Sequence, residues 1–330
     1  MNSMISLRLL TFSVLLCAIR ATDALAQIKV IQVSANGTGD VPTIQAAVDS
    51  VPDNNTNAVI IKIGPGTYSE RVNIRRGKDH VALIGIAATR TTTILTTSHV
   101  DINSASEKCA LSVHSDDTWV ENLTVENTAG PTAGPHGALY TDGKRQIFDN
   151  VLIKGWQDTL PIWDGSLSYF HHCDVWGSVD FIYSGGTAVL QDCDITQIRP
   201  QGGPLAAPST PKKSAYGLVF LNCRIVRGSG VGPNCIDLMR PWGPYGAAAF
   251  LNCVMDSVTE KGWLAWDGRE KTCRAIEYGS KAPDGSPIDL SKRAPWVKIL
   301  TDEEAASWTP KTILRGWDPT IVKSPANNDK

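Results

Sequence analysis

Two aspartates carry the chemistry this 330-residue chain offers: Asp158 in GWQDTL (155–160) and Asp180 in GSVDFIYSG (177–185), 22 residues apart. The same interval separates Phe148 in FDNV from Phe170 in FHHCDV, an anchor that recurs along the chain. If that recurrence is one coil of a solenoid, the two carboxylates stand in neighbouring strands about 4.7–4.9 Å apart. Two carboxylates so close resist joint ionisation, and a guanidinium beside one of them keeps that one charged. Arg240 fits this part, because it falls ten residues before the anchor at Phe250, as Asp180 falls ten before the anchor at Leu190. One aspartate then donates a proton while the other serves as nucleophile or base. The competing reading, in which each Asp caps a turn and pairs with a surface Arg, does not account for the shared register.

The elements that must position these residues follow from the anchor itself. It reads WVENLTV at 119, FDNVLI at 148, FHHCDV at 170, LQDCDI at 190, FLNCRI at 220 and FLNCVM at 250, with steps from 148 of 22, 20, 30 and 30. Short strands repeating at such periods, without helical patterning, predict an all-β parallel β-helix, in which stacking buries the apolar face that a single coil leaves open. A β-sandwich is the alternative, but its strands rarely repeat the same wording. The recurrent Asn, Asp or His belongs at a bend. In GTGDVPTIQAAVDSVP (37–52), Ile44, Ala47, Val48 and Val51 share a helical face and Pro42 suits an early helical position, predicting an N-terminal capping helix. Thr301 to Glu304 form a capping-box pattern that opens a short C-terminal helix through Trp308. The Pro- and Gly-rich stretches 128–137 and 197–217 are expected as exposed excursions walling a groove, and the tail from Ser324 as disordered.

A net charge of −2 with 19% charged residues supports neither a nucleic-acid nor an anionic-membrane partner. Arg8, the apolar run Leu9 to Ile19 and Ala24-Leu25-Ala26 read as a signal peptide over 1–26, too short to span a membrane. The expectation is one exported domain over 27–330, extracellular, in a wall or periplasmic. Seven cysteines follow the signal, an odd number, and no CxxC or His-rich spacing suggests a metal. Cys173, Cys193, Cys223 and Cys253 occupy the anchor, where a thiol is a small core filler rather than half of a disulfide.

These motifs together resemble the pectin methylesterases, carbohydrate esterases with a right-handed parallel β-helix. The likeness runs from the capping segment through GTYSE (66–70), VENTAGP (125–131), GWQDTL, GSVDFIYSG and LMRPWGPYG (238–246) to GWLAW (262–266) and LTDEEA (300–305). The resemblance implies that Asp180 is the nucleophile on a galacturonate methyl ester and Asp158 the general acid, then base. It also implies that Arg240 holds Asp180 ionised, that Gln157 donates to the oxyanion, and that Trp242 and Trp266 are sugar platforms. Tyr68 and Glu70 read as structural. The expected partner is methyl-esterified polygalacturonate, met by a monomer without cofactor or metal.

The chain departs from the family in three places. A second oxyanion Gln is missing from PHGALYTDG (135–143), where His136 or the Gly137 N–H would have to stand in, and Ser184 and Met239 replace glycines. Losing one oxyanion donor costs about 10²–10³ in turnover. The alternatives are therefore a weakly active or non-catalytic polyuronate binder, or an esterase or thioesterase of different substrate.

Overall fold

The computed structural model describes residues 28–326 apart from 101–103 and 107. The signal-peptide expectation (1–26) and the last four residues lie outside the described residues. The strands stack into three faces: an 11-stranded sheet, an 8-stranded sheet, and a third face made of 3-stranded and 4-stranded sheets joined by a Thr141–Ile162 bridge. Pairing along each face is parallel, as in Phe148 with Phe170, Leu190 and then Phe220 and Phe250. This is the parallel β-helix the repeat predicts.

Stacking of like residues builds the core. Phe148 lies on Phe170 with centroids 4.6 Å apart, and Phe220 on Phe250 at 4.2 Å, both nearly coplanar. All seven described cysteines are free, and the four anchor thiols are buried. Each points back to a carbonyl of the preceding coil, Cys223 Sγ to Leu190 O at 3.2 Å for example, so the row fills space as expected. The bend beside it is left-handed at Asn122, Asn150, His172, Asp192, Asn222 and Asn252, with φ between 50° and 57°. Among non-glycine residues, Asn and Asp tolerate that conformation best, which explains the recurring letter.

The first coil is closed by the helix Ile44–Asp49, which buries Ile44, Ala47 and Val48. Thr43, not a residue within the helix, is the N-cap, so Pro42 stands outside it rather than in the first turn. Glu70 accepts the N–H groups of Ile44 and Gln45 at 2.8 and 3.0 Å, and the Tyr68 hydroxyl bonds the Gly64 carbonyl at 3.0 Å. Both residues of GTYSE are therefore structural. At the far end the capping box on Thr301 forms, but the helix stops at Ala305 and a second begins at Pro310. Thr309 is extended before that proline, because a residue preceding Pro avoids the helical region.

Two further expectations are corrected. The stretch 197–217 is not one exposed excursion: Gly203–Pro208 is a strand of the third face, buried between Ile182–Ser184 and Ile236–Met239. Pro204 and Pro208 lack only the N–H, and their carbonyls still accept from Asp180 and Gly243 at 2.9 and 3.0 Å. The tail is anchored where it starts, since Ser324 Oγ hydrogen-bonds Glu121 and Ala326 packs against the outer apolar cluster of the large sheet. No helix among the described residues is long and apolar enough to cross a membrane.

Candidate active site

The third face sets the geometry. Leu160 pairs with Ile182 and Pro161 with Tyr183, an offset of 22 that places Asp158 opposite Asp180 on the adjoining coil. Asp158 N–H donates to the Val179 carbonyl at 3.3 Å, and Asp180 N–H to that of Pro204 at 2.9 Å. Both aspartates have left-handed backbones, with φ of 62° and 52°. Each therefore sits at a sharp corner just before a strand, a position where Asp is among the few residues tolerated.

Arg240 closes on Asp180 as a fork: Nε donates to Oδ1 at 2.8 Å and Nη2 to Oδ2. Two parallel charge-assisted bonds fix both the orientation and the ionisation of the carboxylate. The guanidinium lies over the Trp266 ring, 4.1 Å from its centroid, with Arg269 at 5.3 Å from the same ring. Trp266 is thus a plate for arginines, whereas Trp242 is 42% exposed and meets Tyr183 edge-on at 5.8 Å.

The two carboxylates are held apart electrostatically. Burial and then the neighbouring Asp180 charge push Asp158 up to about 7, against opposing pulls from Lys108 and Arg240. Burial also raises Asp180 above the ordinary carboxylate value, and the Arg240 bonds and charge offset only part of that rise. The arrangement splits the pair so that a single proton resides by preference on Asp158, the carboxyl without the arginine fork, rather than on Asp180. Gln157, half-buried beside Asp158, makes no side-chain hydrogen bond to any described residue. Its carboxamide is free to donate.

Neither stand-in for the missing Gln is displayed toward solvent. His136 is fully buried, with both ring nitrogens unpartnered, and burial lowers its pKa, so the ring is neutral. Its backbone N–H goes to the Gln157 carbonyl at 3.2 Å, so it is a buried residue rather than a solvated loop residue. Gly137 faces Cys109, whose sulfur a Cβ at 137 would strike, and its N–H is directed at that thiol. Lys108 is the residue that sequence reasoning missed. It is only 7% exposed, and its Nζ bonds the Pro135 carbonyl at 3.0 Å.

A pectinesterase family model matches residues 30–317. The chain belongs to the pectinesterase family. It is 33% identical over 292 residues to pectinesterase 31 of Arabidopsis thaliana, spanning 85% of this chain and 90% of that one. The solved pectin methylesterase from carrot is 26% identical, covers 87% of this chain and 93% of its own, and superposes with a TM-score of 0.78. A pectin methylesterase crystallised with a hexasaccharide is 26% identical, with coverage of 88% and 98% and a TM-score of 0.73. Membership makes the chain a carboxylic ester hydrolase and gives its departures meaning. Ser184, one of the departures named above, has a φ of 90°, a conformation glycine adopts freely. Met239 is wholly buried in the strand Ile236–Met239, one residue before Arg240.

Proposed function

We propose that the chain is an exported, monomeric pectin methylesterase working through Asp180 and Asp158. The observation that carries this reading is the Arg240 fork on Asp180 next to a second, proton-holding carboxyl. Asp180 attacks the carbonyl carbon of a galacturonate methyl ester, and the resulting oxyanion takes a hydrogen bond from the Gln157 carboxamide. Collapse expels methanol, protonated by Asp158, and leaves an acyl group on Asp180. Asp158, now ionised, takes a proton from water, whose oxygen attacks the acyl carbonyl. The galacturonic acid unit leaves and loses its remaining proton to solvent, Asp180 regains its charge, and Asp158 keeps the proton it took from water.

Trp242 offers its exposed face to a pyranose ring, while Trp266 acts through Arg240 by holding the guanidinium in place. His136, sealed from solvent, supports the Gln157 backbone instead of touching sugar. The structure of a relative with a hexasaccharide supports an oligosaccharide ligand for this site. The test is methanol release from methylated pectin by the wild type and by Asp180→Asn. The variant should fold and lose turnover by several orders of magnitude; full turnover in the variant would remove Asp180 from the mechanism.

A further inference from the structure

On the outer side of the 11-stranded sheet, a different face from the carboxylate pair, three possible metal ligands converge. Strand pairing puts Asp149 directly beside His171, and the stacked Phe148 and Phe170 beneath them fix the separation. His171 Nδ1 lies 3.0 Å from Asp149 Oδ1, and His172 Nδ1 lies 4.0 Å from the same oxygen. One ligand atom from each residue falls within 4.8 Å of the other two. Ligands held at 2.0–2.1 Å on a tetrahedral zinc ion stand about 3.3 Å from one another. The observed spacings straddle that value, so small side-chain rotations would complete the site.

The surroundings fit as well as the ligands. The second nitrogen of His171, Nε2, faces Asp192 Oδ2 at 3.9 Å, the kind of outer carboxylate that orients a metal-bound imidazole. The backbone of His172 is clamped, its carbonyl accepting from Arg90 Nη1 at 3.0 Å and its N–H donating to the Gln191 carbonyl at 3.3 Å. Arg90 is itself matched by Asp174, which limits its repulsion of a cation. The two imidazoles lie 3.7 Å apart between centroids, so both rings reach the same small region beside Asp149. With side-chain exposures of 26%, 30% and 61% for Asp149, His171 and His172, an ion has access.

We propose that Asp149, His171 and His172 form a zinc site that staples adjacent coils of the solenoid. The ion takes the place of the hydrogen between His171 Nδ1 and Asp149 Oδ1, and that hydrogen passes by tautomer exchange to His171 Nε2. The His171 ring keeps its one proton on Nε2 toward Asp192, His172 binds as a neutral ring through Nδ1, and water fills the remaining position. The His172 position carries Asn in the coils at 150 and 222, and the His171 row carries Gln at 191. His172→Asn and His171→Gln therefore install residues the fold already accepts at those places.

The experiment is calorimetric titration of the whole protein with zinc chloride, alongside thermal melts. The wild type should bind one equivalent saturably, and each of His171→Gln, His172→Asn and Asp149→Asn should weaken binding at least tenfold. Saturating zinc should raise the melting midpoint of the wild type and leave the His171→Gln/His172→Asn double variant unmoved. Absence of saturable binding, or equal affinity in the double variant, would overturn the site; binding without a rise in midpoint would overturn the staple. Methanol release plays no part in these readouts, so their failure leaves the esterase reading untouched.

Discussion

Asp158→Asn should make the protein more stable while disabling it, and by an amount that depends on pH. The folded chain holds the Asp158 proton up to about pH 7, whereas an unfolded aspartate releases it near 3.8. The carboxyl therefore costs nothing in stability below the unfolded value, costs more as pH rises through the interval, and costs most once it ionises above about 7. A gap of about 3 units corresponds to about 4 kcal/mol at 1.36 kcal/mol per unit, and partial contact with solvent lowers the expectation to about 2–4 kcal/mol. Asn is nearly the same shape and never ionises, so it removes that cost. Urea unfolding of both proteins at pH 4, 6 and 8.5 reads the difference directly. The variant's advantage should be small at pH 4 and grow to its full size at pH 8.5. An advantage independent of pH would show that Asp158 is not held protonated by the fold.

Other outcomes follow from the same geometry. Arg240→Ala strips Asp180 of its fork, so the acid limb of methanol release should move up by about 1–3 pH units with turnover down about 10- to 1000-fold; a pH–rate profile with an unmoved acid limb would contradict it. Ser184→Gly relieves a side chain held at φ 90° and should stabilise by about 1 kcal/mol in urea unfolding. Glu277 is fully buried and takes bonds from Arg293, Trp263 and Ser280. Glu277→Ala leaves the Arg293 charge unpaired and should cost about 3–5 kcal/mol by the same measurement.

What the sequence made legible was whatever repeats with the coil. The anchor letters placed the Phe stack, the thiol row and the left-handed corner, and the 22-residue interval placed Asp158 opposite Asp180. Features that depend on contacts between unlike positions stayed hidden. The strand Gly203–Pro208 reads as a loop because its Gly, Pro and Ala residues carry little strand propensity, and the tight turn before it needs Gly202, where a Cβ would collide with the Cys235 carbonyl. His136 looked solvated because neighbouring Gly and Pro dominate the local composition, while its burial comes from the coils on either side. The arginines over Trp266 arrive from two separate segments. Asp149 and the His171-His172 pair are adjacent only once one coil lies on the next, so no local spacing rule for metal ligands detects them.

The stacked architecture also governs how function is lost. In a solenoid each coil leans on its neighbours alone, and opening can begin at either tip and creep inward. Asp158 and Asp180 occupy consecutive coils in mid-stack, well inside the helix Ile44–Asp49 at one end and the last strand of the large sheet, Lys298–Ile299, at the other. Heat or protease can therefore peel the ends while the reactive corner stays assembled. Ester cleavage should outlast the first loss of far-ultraviolet signal and vanish only when the middle of the spiral comes apart.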